Sequence, residues 1–356
     1  MRPGSNEKSM TPENFKKLIC MVVTALLLSL AGPLAARDVS GLTTATVPIK
    51  DRSPSERARA SAVALSQVLI KLTGNRRAPA DARAQALLGR ASSLLLQYTY
   101  AAAPEGGLVL KASFDQQVLS RELIARGIGV WSKQRPDTVV YLIVDDAQGH
   151  QLIGAASPGK FGAVVQAKAN LRAVPVSLAR MDEEEVAQLI ATQEPQAISD
   201  AAVALASGYG VSATLVGQLR EIATQQWEVR WRLDVNEETV EWNRSGALAE
   251  ALVSEGIDVL ADELVERYAH PATLASSEEI LLVVQGVNSA NDYGRLANYL
   301  GSLDSVARMF LRSVDNQQVV YEITARGGSA ALAQSITFGH VLAPQPDLDD
   351  TYELLP

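Results

Sequence analysis

Three histidines, His150, His270 and His340, are the first residues to test for metal chemistry, and their spacing fails the test. A zinc or copper site needs two or more ligands converging at helix or loop spacing, and none of the three has a second His or Cys beside it. His270 precedes Pro271 and reads as a helix stop. Asp347, Asp349 and Asp350 offer carboxylates for Ca²⁺, yet their segment lacks the glycine and terminal glutamate of an EF-hand. The acidic run Asp182, Glu183, Glu184, Glu185 begins a predicted helix, where negative charge complements the macrodipole.

Acyl and phosphoryl transfer fare little better. No G-x-S-x-G elbow occurs, and Gly208-Tyr209-Gly210 reads as a helix end turning into a strand. A Ser-His-Asp site is recognised by geometry, so a hydrolase whose residues converge only in the fold stays open as an alternative. "ASPGKFGAVV", Ala156 to Val165, is the nearest phrase to a phosphate loop. It lacks the glycine spacing and the lysine followed by Ser or Thr, and reads as a loop entering a helix. No residue is therefore assigned a catalytic, cofactor-binding or metal-binding role, and no cofactor is expected.

Aromatic chemistry leaves one question. "WEVRWRLDV" places Trp227 and Trp231 four residues apart, and Trp242 follows in "TVEWNRSG". On a solvent-facing sheet these three rings would make a stacking platform for a glycan such as peptidoglycan. Strand alternation argues otherwise: Trp227, Val229, Trp231, Leu233 and Val235 share one face, and Glu228, Arg230, Arg232 and Asp234 the other. A sheet with one apolar face buries it, and Leu248, Leu252, Ile257, Leu260 and Leu264 of a long helix over Ala247 to Tyr268 are its expected cover.

The elements that hold these residues follow from punctuation. At 356 residues, 47% hydrophobic and 20% charged, the chain has material for two or three cores, and its low aromatic content of 5% suits helices packed on sheets. Lys16 and Lys17 precede the uncharged run "LICMVVTALLLSLAGPLAA", the order of a secretory signal peptide, with cleavage expected after Ala36. Leu34, three places before the cut, leaves an uncleaved inner-membrane anchor as the alternative. Cys20, the one cysteine, lies inside that run, so the exported protein is expected to be cysteine-free and held by packing. Losing residues 1–36 leaves 28 basic against 38 acidic side chains, a net charge of −10, which disfavours nucleic acid and anionic membrane surfaces.

Four further segments are expected after the signal. Residues 37–134 read as a small α+β domain. It opens with the strand "TTATVPI" and a helix with Ser53 as N-cap, Pro54 in its first turn, Glu56 completing a capping box and Gly74 as stop. That helix has Ala58, Ala62, Leu65, Leu69 and Leu72 as its stripe. A second helix lies within Asp81 to Gln97, a hairpin spans "YTYAAAPEGGLVLKASF", a helix capped by Asp115 runs to Gly127, and "IGVW" closes the domain as a short strand. Arg135-Pro136 interrupts the pattern. Residues 137–271 read as an α/β domain around the buried strand "TVVYLIVDD" and the hairpin "VSATLVGQL"/"WEVRWRLDV". Ser276-Ser277 marks a second joint. Residues 278–344 give a ferredoxin-like order with its hairpin turn at Asp315-Asn316, and residues 345–356 read as an acidic tail. The fold class is thus α+β, with helices on mostly antiparallel or mixed sheets.

In this order, "ALSQVLIKLTGN", "GVWSKQRPDTVVYLIVD", "GYGVSATLVGQL" and "GIDVLADELVERYA" resemble an uncharacterised family of Gram-negative envelope proteins, a domain of unknown function. "YGVSATLVGQL" and "GIDVLADELVERYA" are also similar, more weakly, to the amino-terminal domain of the Tol-system propeller protein and to lipoprotein activators of peptidoglycan synthases. The resemblance implies a non-enzymatic periplasmic binding or scaffold protein, acting through an envelope protein partner. It transfers no functional residue.

Overall fold

The computed structural model describes residues 36–355, apart from 105, 148, 192–193, 236–237, 270–276, 304, 316, 338–340 and 346–347. The signal segment before Ala36, the His270-Pro271 stop, and His340 and Asp347 therefore lie outside the described residues. The architecture is α+β, with helices on open sheets.

The chain enters as β1 (Ala36–Asp38) and continues through β2 (Thr44–Ile49) into α1 (Pro54–Thr73). Ser53 Oγ accepts from the Glu56 N–H at 3.3 Å, and Gly74 ends the helix at φ +69°, a left-handed conformation that glycine adopts without steric cost. The expected capping box is only half formed. Ser53 N–H donates to Asp51 Oδ1, and the Glu56 carboxylate accepts from Lys50 N–H and Arg59 instead. Leu65, Leu69 and Leu72 of the expected stripe are buried, but Ala60, Ala64 and Val68 join them inward, while Ala58 is exposed and Ala62 half-buried.

Within Asp81 to Gln97, where one helix is expected, there are two short ones, α2 (Ala82–Leu88) and α3 (Ala91–Leu94), separated at Gly89. The chain is already extended at Leu95. Strands β3 (Leu95–Ala102) and β4 (Leu108–Phe114) complete an antiparallel sheet in the order β2-β4-β3. Helix α4 (Gln116–Ile124) follows, with Asp115 accepting from Val118 N–H at 3.0 Å. "IGVW" forms no strand, because the Trp131 N–H donates to Leu72 O at 2.7 Å and is spent on the end of α1. Nor does Arg135-Pro136 break the pattern. Gln134–Pro136 is a buried strand, β5, paired antiparallel with β1, and a two-stranded pairing leaves an edge on which proline is tolerated.

The middle sheet is built on β6 (Thr138–Asp146), whose first seven residues are all buried. Parallel to it run β9 (Ala213–Ala223) on one side and the short β8 (Val176–Leu178) on the other, where the unforeseen β7 (Gly149–Ile153) also pairs, antiparallel. Strands β10 (Gln226–Val235) and β11 (Glu238–Gly246) extend the sheet as antiparallel hairpins. Helices α5 (Gly159–Arg172) and α8 (Ala249–Tyr268) supply the core of one face, which contains Val140, Leu142 and Trp231. Helices α6 (Glu183–Ala191) and α7 (Pro195–Ala206) supply that of the other, which contains Val139, Tyr141 and Ile143.

The last unit comprises β12 (Ser277–Gln285), α9 (Ala290–Ser302), β13 (Val306–Asp315), β14 (Gln318–Arg326), α10 (Gly328–Thr337), β15 (Leu342–Pro344) and β16 (Thr351–Leu354). Its sheet order is β13-β14-β12-β16-β15. The first three neighbours keep the ferredoxin-like arrangement. The fourth strand, β15, is displaced outward by β16, which inserts parallel to β12. The tail expected over residues 345–356 therefore contains a packed strand: Thr351, Tyr352 and Leu354 are buried, and Val283 N–H donates to Asp350 O. Four residues of ladder outweigh the acidic composition of their neighbourhood, because Tyr352 and Leu354 share one apolar face.

Candidate functional site

The tryptophan question has a structural answer. Trp231 is fully buried, and its indole stacks on Trp242 with ring centroids 6.2 Å apart and planes 22° apart. Two glycines make its slot. Gly217 lies opposite it in the β9–β10 register and Gly256 faces it from α8, and a Cβ at either would fall 2.3 Å from a ring atom. Trp227 and Trp242 are half-buried against the same core. Leu252, Ile257, Leu260 and Leu264 cover it as expected, whereas Leu248, at the helix N-cap, is exposed. The charged face pairs internally: Arg232 holds Asp234 at 2.8 Å and reaches Asp200 of α7 at 2.6 Å. A solvent-facing ring platform does not exist at Trp231.

The other sequence candidates also resolve into structure. Asp182 accepts from Glu184 N–H and Glu185 N–H, and its own N–H donates to Glu185, a reciprocal helix cap. Lys160 of the "ASPGKFG" segment pairs with Glu250 at 2.9 Å and lies 4.7 Å from the Phe161 ring centroid. Gly210, at φ +60°, turns the chain after a short 3₁₀ segment. Asp349 and Asp350 stand just ahead of β16. His150 is exposed on β7. Among the described residues no three His, Cys, Asp or Glu side chains gather as metal ligands.

Two buried arginines tie the first and middle cores together. Arg135 donates to Lys71 O and Ala173 O, both at 2.6 Å, and its guanidinium lies 4.0 Å from the Trp131 ring centroid. Arg172 donates to Gly74 O at 2.8 Å, Asp258 Oδ1 at 2.8 Å and Asp262 Oδ1 at 2.6 Å. Both cations thus serve carbonyls at helix C-termini, where the backbone dipoles favour positive charge. Burial alone would raise the Asp258 carboxyl, but hydrogen bonds from Lys168 and Arg172 outweigh it and hold the group below the usual aspartate range. Beside this seam opens a cleft of about 370 Å³ lined by Ser40, Thr44, Lys71, Gln166 and Asn170 among others. Burial, aided by the nearby Arg135, lowers the Lys71 ammonium. That ammonium is already committed to Thr44 O at 2.9 Å and Gly41 O at 3.3 Å. Arg135, Arg172 and Lys71 act as joinery.

The C-terminal sheet is different. On β12, Ile280, Leu282 and Val284 face the helices and are buried, while Leu281 on the opposite face is 60% exposed. Register places Leu281 beside Glu322 and Glu322 beside Phe310, itself 57% exposed. Val283 and Val320, also cross-strand neighbours, occupy the next row and are half-buried. Arg312 bridges to Glu322 across this face. The result is an apolar strip crossed by one ion pair, on a sheet whose other side is packed at β12 and β14. Alternation along "ILLVV" gave no warning, because an unbroken apolar run reads as a strand buried on both faces.

Comparison with known proteins adds little chemistry. A domain of unknown function, DUF8605, matches residues 36–132, so this chain carries an uncharacterised domain there. No curated protein matches the chain. Among solved structures, the Protein Y N-terminal domain of Thermus thermophilus is 11% identical with a TM-score of 0.18, covering 36% of this chain and 94% of its own. A competence or damage-inducible protein from Enterobacter asburiae is 12% identical with a TM-score of 0.23, covering 43% and 95%. A competence-damaged protein superfamily member from Enterobacter cloacae is 14% identical, also at 0.23, covering 43% and 89%. At TM-scores this low the likenesses carry no argument.

Proposed function

We propose that this is a non-enzymatic binding or scaffold protein of the cell envelope, exported by residues 1–36 and acting through protein contacts. The observation that carries the reading is the uncovered apolar strip of the C-terminal sheet. Leu281, Phe310, Val283 and Val320 occupy the face where a one-sided sheet normally places polar residues. Burying such side chains contributes roughly 25 cal/mol per Å² removed from water, so a partner gains most by covering this strip. Among the described residues no helix is long and apolar enough to cross a membrane. The cores of the first two units are tied by buried arginines, which suits a rigid mount for the binding face.

Leu281→Lys tests the reading without breaking the fold, since the new ammonium lies beside Glu322 and exposed substitutions usually cost little. Affinity purification of the tagged wild-type chain from envelope extracts is expected to retain a stoichiometric protein partner that Leu281→Lys loses, with the thermal midpoint unchanged. Retention of the same partner by the variant would contradict the assignment. So would retention of peptidoglycan fragments alone.

A further inference from the structure

The edge of the C-terminal sheet carries a second message, independent of what covers its face. Among the described residues, strand β13 pairs with β14 along one side only and presents its other side as an open edge. Long apolar edges invite pairing unless blunted, and this one keeps Leu311 at 47% and Val314 at 61% exposure, alongside Phe310.

Its ladder against β14 begins at Val306↔Ala325 and, after a register shift before Arg308, continues Arg308↔Thr324, Met309↔Ile323, Phe310↔Glu322, Leu311↔Tyr321, Ser313↔Val320, Val314↔Val319 and Asp315↔Gln318. Arg312 is the extra residue of a bulge between Leu311 and Ser313 and points to Glu322. From Arg308 to Asp315, with Arg312 counted out, seven paired positions remain and Leu311 is the central one. Two antiparallel copies related by a twofold axis through Leu311 would place Leu311 opposite Leu311, Phe310 opposite Ser313, Met309 opposite Val314 and Arg308 opposite Asp315. A twofold perpendicular to a sheet keeps its faces, and each of these pairs does lie on one face. Arg308, Phe310, Ser313 and Asp315 stand opposite Thr324, Glu322, Val320 and Gln318 of the uncovered side. Met309, Leu311 and Val314 stand opposite buried Ile323, Tyr321 and Val319.

We propose that β13 pairs with β13 of a second copy of this chain, joining two five-stranded sheets into one. Charge chooses the occupant: this register forms two Arg308–Asp315 pairs, one at each end, and seats Met309 on Val314 between them. Opposite charges and apolar pairs directly across a ladder are the favourable cross-strand combinations. The contact is isologous, so it closes at a dimer and leaves no β13 edge to propagate. The two uncovered faces then form one continuous surface.

Sedimentation of the full chain over a dilution series, together with its charge reversals, tests the proposal. Wild type is expected to dimerise. Arg308→Asp and Asp315→Arg should each weaken dimerisation about tenfold or more through like-charge opposition, and the double reversal should restore it. In a Cys20→Ser background, Leu311→Cys should crosslink to itself with a short bis-maleimide, while Asp315→Cys, which faces Arg308, should not. Four results would overturn the proposal: a wild type monomeric throughout, a dimer indifferent to both single reversals, a double reversal with native circular dichroism that stays monomeric, or equal crosslinking from Leu311→Cys and Asp315→Cys. None depends on the identity of any envelope partner.

Discussion

Strands β6 and β12 look alike as sequence and differ as structure. "TVVYLIVDD" and "ILLVVQ" are both nearly unbroken apolar runs, the pattern of strands buried on two faces. β6 fulfils it, with Thr138 to Val144 buried between α5 and α8 on one side and α6 and α7 on the other. β12 is covered on one face only, and Leu281 stands in solvent. The middle sheet has spent its apolar residues on its own helices. The C-terminal sheet leaves a set exposed, and in the proposed reading that asymmetry separates scaffold from binding face.

If the middle sheet is the rigid part, its keystone should be costly to remove. Trp231→Ala empties a slot built by Gly217 and Gly256, and is expected to cost about 3–5 kcal/mol in denaturant unfolding, as for other buried aromatics. Arg172→Leu is expected to cost somewhat less, about 2–3 kcal/mol, since it leaves Gly74 O without this donor and Asp258 with Lys168 alone but keeps the apolar stem. A loss below about 0.5 kcal/mol in either would remove the contrast between the two sheets.

Acid sharpens the same comparison. Asp258, between Lys168 and Arg172, has its folded pKa below the unfolded one near 4. Its contribution is therefore fully present above about pH 4 and lost as pH falls through the folded value. Thermal midpoints measured downward from pH 5 should fall more steeply for wild type than for Asp258→Asn, whose midpoint is lower at neutral pH. Parallel curves would place the acid sensitivity elsewhere. The smallest stability effect belongs to the proposed binding face: Leu281→Ser and Phe310→Ser should each stay within about 0.5 kcal/mol of wild type, because both side chains are mostly in solvent.

Much of this organisation was legible in the residues, for physical reasons. Ser53, Asp115 and Gly74 acted locally as caps and stops, so their roles needed no tertiary context. The tryptophan face followed from period-two alternation over five positions. What escaped was short or non-local. β7 and β16 span five and four residues and owe their existence to a neighbouring strand. β5 exists because β1 lies beside it. Gly217 and Gly256 read as ordinary glycines until Trp231 arrives from another element. The candidate face was hidden for a different reason: an apolar run shows that a strand's faces want covering, but not which molecule covers them.

Site-specific photocrosslinking in intact cells tests that last point most directly. A photoreactive residue at Leu281 is to be compared with one at Ile222, which is also exposed but belongs to the middle sheet. A discrete adduct between this chain and a different envelope protein from Leu281, with none from Ile222, is the expected result. No adduct from Leu281, or the same products from both positions, would contradict the claim that the uncovered face of the C-terminal sheet is where this protein binds.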